Sequence, residues 1–183
     1  MPLRNDDRRY GALAQGLHWL IAALIIALFG IGWVMEDMPL GPDKIRIYNI
    51  HKSIGVTVLA LMVIRLAWRW ISPPPPLPAH MPAWEQTAAK ATHVLIYLLV
   101  FAQPIIGILH SNAANFPVVV FNTLILPSVI APDEELKKLL VGAHHWLANV
   151  IAVLILLHIG AALRHHFMIK DDILRRMLPG AGR

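Results

Sequence analysis

The pattern of apolar and polar positions divides the chain into four long hydrophobic runs separated by short polar connections. From Gly11 to Met35 the sequence reads GALAQGLHWLIAALIIALFGIGWVM, with His18 as its only ionisable side chain. About 20 apolar residues cross the roughly 30 Å hydrocarbon layer of a bilayer, so this run is long enough to span it. Three more runs follow, and the predicted spans cover residues 13–35, 50–71, 91–109 and 139–163. A secretory signal would carry a shorter apolar stretch and a small-residue cleavage site. Neither is evident before Glu36, so the first span is expected to be retained. The second ends at Pro73-Pro74-Pro75-Pro76, which cannot continue a helix and should form a stiff extended connector. Pro104 predicts a kink in the third. Residues 116–130 are also apolar but short, and bracketed by Pro117 and Pro127. That suits an interfacial or re-entrant segment better than a fifth crossing.

The expected fold class is therefore all-α: one integral membrane four-helix bundle occupying residues 1–183. Composition agrees, since 57% of the 183 residues are hydrophobic and 15% charged, against about a quarter charged in soluble domains. A single soluble globule is excluded, and nothing points to a nucleic-acid partner. If both termini share a side, that side holds Arg4, Arg8, Arg9, Arg65, Arg69, Lys90, Arg164, Lys170, Arg175, Arg176 and Arg183. The other holds only Lys44, Arg46, Lys52, Lys137 and Lys138. The positive-inside rule then makes both termini cytoplasmic. Trp33 and Trp146 fall toward the outer boundary, and Trp19, Trp68, Trp70 and Trp84 toward the inner one, as an aromatic belt requires.

Ten histidines and no cysteine change the picture further. Ionisable side chains inside a membrane segment are expensive and mark function. The missing cysteines exclude disulfides, thiolate-held clusters and a Cys-x-x-Cys-His haem attachment. His144 and His158 are 14 residues apart, about 40° short of four full helical turns, so they share one face at an axial separation of about 21 Å. His145 is turned about 100° away. Because the first and fourth spans run in opposite directions, His18 sits level with His158. His51 sits level with His144. Four histidines thus form an inner and an outer pair, each drawn from two helices, which is what six-coordinate haem requires of neutral imidazoles. Arg65 lies 14 residues after His51, on the same face at the inner depth. There it can partner the carboxylates of a haem or snorkel to the headgroups. His93, near the inner start of the third span, can contact a propionate or a quinone, or serve in packing.

With these residues in view, the chain resembles the prokaryotic cytochrome b-561 family of four-helix di-haem membrane cytochromes. The resemblance covers nearly the whole chain. It is carried by Leu17-His18-Trp19, by NIHKSIG around His51, and by VIRLAWR from Val63 to Arg69. THVLIYLL from Thr92, HHWLANVIAVLILLH from His144 to His158, and ALRHHFMIKDDILRRMLP from Ala162 to Pro179 complete it. The resemblance implies two haem b groups, one ligated by His18 with His158 and the other by His51 with His144. It also implies a multi-pass protein of the bacterial inner membrane that moves single electrons to or from ubiquinone, in some members from periplasmic superoxide. The doubled His144-His145 leaves His145 as a fallback ligand.

On this reading the protein is an oxidoreductase whose partners are membrane lipid, quinone, and superoxide or a redox protein. The outer side carries five cations against the six acids Glu36, Asp37, Asp43, Asp133, Glu134 and Glu135. Only a local cluster could steer an anion, and Lys52, next to His51, is the candidate catalytic residue for it, with a snorkelling interface lysine as the alternative. A haem-b carrier subunit of a partner dehydrogenase or hydrogenase would use the same ligands. A histidine-based metal or proton transporter is disfavoured, because intramembrane acids are expected there and none lies within the four spans.

Overall fold

The computed structural model describes residues 2–180. Four long helices dominate: α1 (Ala12–Asp37), α2 (Pro42–Ile71), α3 (Ala83–Ala113) and α4 (Glu134–Arg164). Each is long and apolar enough to cross a membrane. A π-helical turn, His165–Ile169, prolongs α4, and a short helix α5 (Ile173–Met177) follows. The helices outrun the predicted spans, because charged flanks can stay helical outside hydrocarbon. Their starts follow local chemistry: a proline in the first turn of α2, and at α4 the Asp133 carboxylate accepting the Leu136 N–H at 2.8 Å.

Consecutive helices pack side by side, α1 on α2, α2 on α3 and α3 on α4. By contrast, neither α1 nor α2 is a close packing partner of α4. At mid-height a small apolar cluster of Ile21, Val58, Met62, Val100 and Ile151 joins all four. Large side chains such as Ile26, Leu98, Leu156 and Leu157 point outward, the arrangement expected when lipid rather than water covers the surface.

The first and last described segments lie at one end of the bundle, here the terminal end, and are laced together there. The Tyr10 N–H donates to the Arg176 carbonyl, Trp19 Nε1 to the Met177 carbonyl at 2.8 Å, and Arg176 Nη1 to the Pro76 carbonyl at 2.7 Å. Asn5 reaches the Ser72 and Pro73 carbonyls and accepts from the Gly11 N–H. Gly11 has to be glycine, since a Cβ would collide with the backbone of Leu3 and Arg4.

At the opposite, distal end, residues 116–130 do not cross the bundle. They form a two-residue antiparallel ladder, β1 (Val119–Val120) with β2 (Leu124–Ile125), pairing Val119 with Ile125. The ladder is pinned to α2 by the Phe121 N–H donating to Ser53 Oγ at 2.9 Å. Val118 is buried beneath it, while Phe121, Leu124, Ile125 and Val129 stay exposed.

Candidate functional site: two histidine layers

The bundle brings the four phase-matched histidines into two pairs. His18 of α1 and His158 of α4 face each other at the terminal end, with ring centroids 6.3 Å apart and planes inclined by 72°. His51 of α2 and His144 of α4 repeat this at the distal end, at 6.3 Å and 67°. A metal held between two imidazoles needs about 2 Å to each nitrogen, and each nitrogen lies roughly 1.1 Å from its ring centre, giving a centroid separation of about 6.2 Å. Both pairs have the spacing of a bis-imidazole site. The helices that supply each pair, α1 with α4 and α2 with α4, are the ones that do not pack closely on one another.

Nδ1 of both His51 and His144 is buried with no hydrogen-bond partner among the described residues. His144 is also fixed from α3. Gln103 Nε2 donates to its backbone carbonyl at 2.9 Å, and one turn along, a Cβ on Gly107 would lie 3.2 Å from the ring Cε1. Glycine at 107 therefore lets α3 approach the imidazole. His145 is exposed, as its helical phase predicts.

Around the terminal-end pair the structure adds a third ring. His93 lies 5.2 Å from His158, at 70°, so the layer is a three-histidine cluster. Arg65 Nε donates to the Tyr97 hydroxyl at 2.9 Å, and Arg69 lies over the same ring at 5.8 Å. These two guanidiniums line a cleft with Tyr10, Trp68 and Tyr97. Trp68 Nε1 is a buried donor without a partner, so the cleft suits a carboxylate or another oxygen-rich group. Burial raises the Tyr10 phenol above its ordinary value despite the opposing Arg69 and Arg65 charges. It remains a neutral hydroxyl donor there.

Lys52 follows His51 but is committed elsewhere. Its ammonium donates to the Pro117 carbonyl at 2.7 Å and sits 3.7 Å from the centre of the Phe116 ring. It ties the β1–β2 ladder to α2 beside the distal pair. Sequence reasoning did not single out Tyr97, Gln103 or Gly107. None belongs to a residue class that stands out in a membrane helix, and Pro104 masked its neighbour Gln103.

Among the described residues, no group of three or more His, Asp and Glu side chains is arranged to hold a bare metal ion. The paired imidazoles instead suit a metal that brings its own equatorial ligands, as haem does. Comparison with known proteins points the same way. The family model of prokaryotic cytochrome b561 matches residues 9–180. Cytochrome b561 homolog 2 of Escherichia coli (strain K12) is 38% identical over 180 residues, covering 97% of this chain and 95% of the relative. Probable superoxide oxidase CybB of Yersinia pestis is 34% identical over 175 residues, covering 94% and 97%. Cytochrome b562 of Cereibacter sphaeroides is 26% identical over 180 residues, covering 95% and 98%. With four membrane-crossing helices and imidazoles paired as a b-type haem requires, the chain belongs to the prokaryotic cytochrome b561 family of membrane electron-transfer proteins.

Proposed function

We propose that this protein is a di-haem superoxide:ubiquinone oxidoreductase of the bacterial inner membrane, a single domain with both termini in the cytoplasm. The observation that carries this reading is the duplication of the 6.3 Å imidazole pair at the two ends of one bundle. Haem b, one group per pair, would supply one-electron oxidation and reduction. His18 with His158 would hold one such group and His51 with His144 the other, with the two histidines of α4 about 21 Å apart along it. Ile21, Val58, Met62, Val100 and Ile151 fill the space between the layers and keep water out of it. The name of the Yersinia pestis relative supports superoxide as donor.

In this reading two superoxide anions each give up one electron at the distal, periplasmic end and leave as dioxygen. Ubiquinone takes both electrons and two protons at the cytoplasmic end and becomes ubiquinol. Arg65 would offset the carboxylates of a haem held at the terminal end, His93 would border the quinone, and Lys52 contributes positive charge beside the outer pair. A carrier subunit serving a partner dehydrogenase would share these ligands but not the donor.

A pulse of superoxide on the purified holoprotein separates the two. Rapid haem reduction followed by reoxidation with a short-chain ubiquinone fits the oxidoreductase. No reduction by superoxide, together with a stoichiometric soluble partner on purification, would replace it with the carrier.

A further inference from the structure

Outside the histidine layers, at the terminal end, lies a second buried cluster of titratable groups. His165, in the π-helical turn after α4, has Nδ1 2.6 Å from Asp171 Oδ2 and Nε2 3.6 Å from Glu85 Oε2. These three side chains are only 10%, 5% and 10% exposed. Arg164 Nη1 contacts the other Glu85 oxygen at 3.1 Å, and His80, itself exposed, approaches Asp171 Oδ2 at 3.7 Å. Glu85 Oε2 is buried with no hydrogen-bond partner. So α3 supplies a carboxylate, the end of α4 an imidazole and a guanidinium, and the flanking loops a second carboxylate and a surface histidine.

The two carboxylates have different tasks. Burial pushes Asp171 upward, but the His165 hydrogen bond and the Ile173 amide hold it below the ordinary carboxylate value. It therefore stays ionised, accepts from Nδ1–H and fixes the ring, leaving Nε2 to face Glu85. Oε2 and Nε2 thus face each other across 3.6 Å, just beyond hydrogen-bond distance, a gap the two side chains close to share a proton.

Position supplies the rest. His158 and His165 are seven residues apart on the same helix, within about 20° of two full turns and about 10 Å apart along its axis. The cluster lies directly below the terminal-end histidines, between them and the aqueous side.

We propose that Glu85 and His165 form a proton-loading pair, held by Asp171, that supplies the protons consumed when quinone is reduced at the terminal end. This rests on the quinone-reducing reading above. Loaded, the pair holds one proton, shared between Nε2 and Oε2. That proton leaves through Oε2 to a quinone oxygen as an electron arrives, leaving the Glu85 carboxylate and neutral His165. Water on the terminal side reloads the pair before the second electron. One quinone takes two electrons and two protons, and its two carbonyls become hydroxyls. Glu85 and His165 carry the proton, while Asp171 is a positioning residue.

Two readouts on the full-length holoprotein test this. The first is the midpoint potential of the terminal-end haem as a function of pH, which needs no quinone. Wild type is expected to show a potential that falls as pH rises, because reduction draws in a proton, and Glu85→Gln to show none of that slope. Glu85→Asp should restore it. The second is reoxidation of the pre-reduced protein by a short-chain ubiquinone in light and heavy water. Glu85→Gln is expected to slow it at least tenfold and abolish the solvent isotope effect. Asp171→Asn should shift the pH profile without abolishing it, a change that a purely structural latch would not produce. An unchanged potential–pH slope in Glu85→Gln with full haem content overturns the proposal. If Glu85→Gln loses haem, the same readouts on His165→Gln decide it. A slope that vanishes while wild type is never reoxidised by ubiquinone would instead retain the proton site and refute the choice of acceptor.

Discussion

Gly107 offers a sharp perturbation of the outer layer alone. An added Cβ would lie 3.2 Å from His144 Cε1, inside van der Waals contact by a few tenths of an ångström, since carbon atoms pack best at about 3.5–4.0 Å. Alanine in a helix interior is favoured over glycine by about 1 kcal/mol, whereas overpacking costs about 1–3 kcal/mol. Gly107→Ala should therefore leave global stability between unchanged and about 2 kcal/mol below wild type. The overpacking falls on the ring, and ligand geometry tolerates little displacement. Affinity for the outer haem should drop by about 1–2 kcal/mol, or roughly 5–30-fold. Gly107→Val, with two further methyls aimed at the imidazole, should leave about one haem per chain. The assay is haem quantitation with a reduced-minus-oxidised spectrum, alongside thermal unfolding of the same samples. Loss of the inner haem in place of the outer, or full retention of two haems in Gly107→Val, would refute the reasoning.

Other consequences follow from single residues. Arg65→Gln removes a positive charge beside the terminal-end pair, where it would favour the reduced form of a haem held there. Its potential should fall by about 60 mV, a tenfold change for a one-electron couple, with the outer haem unmoved in a redox titration. Lys52→Gln should keep both haems but slow reduction by superoxide and flatten its salt dependence, and Lys52→Arg should restore both. An unchanged salt dependence in stopped-flow measurements would leave Lys52 with only its tether to Pro117. The carboxyl of Asp171 is held below its ordinary value of 3.8, so its contribution to stability is full above that pH. It is lost as pH falls through the lower folded value. Acid titration followed by limited proteolysis should release the segment after α4 below pH 3.8 in wild type. The Asp171→Asn protein, which lacks the titrating carboxyl, should show no such acid-dependent step.

The paired histidines were legible because helical phase is arithmetic. Residues 14 apart share a face, and spans of known direction fix depth, so His51, His144, His158 and His18 pair without knowledge of the packing. The helix limits were not legible in the same way. A hydropathy run marks where lipid begins, whereas α2 and α3 continue through polar residues to Pro42 and Ala83. The β1–β2 ladder was hidden because two paired residues carry no period of their own, and Pro117 and Pro127 signalled only an interruption. Gly107 and Gln103 act through neighbours on another helix, which no single-helix pattern reveals. The Glu85–His165–Asp171 cluster is assembled from two elements and a loop. Its members read locally as polar flanks, and only the return of the chain after α4 brings Asp171 onto His165 at 2.6 Å.

The central claim is that each histidine pair holds its own haem. The most direct measurement is haem quantitation with reduced-minus-oxidised spectra on purified wild type and on His18→Ala, His51→Ala, His144→Ala, His158→Ala and His145→Ala. Wild type is predicted to carry two haems per chain. His18→Ala and His158→Ala should lose one and the same haem, His51→Ala and His144→Ala the other, and His145→Ala neither. A single haem in wild type, or depletion of the outer haem by His145→Ala and not by His144→Ala, would contradict the account.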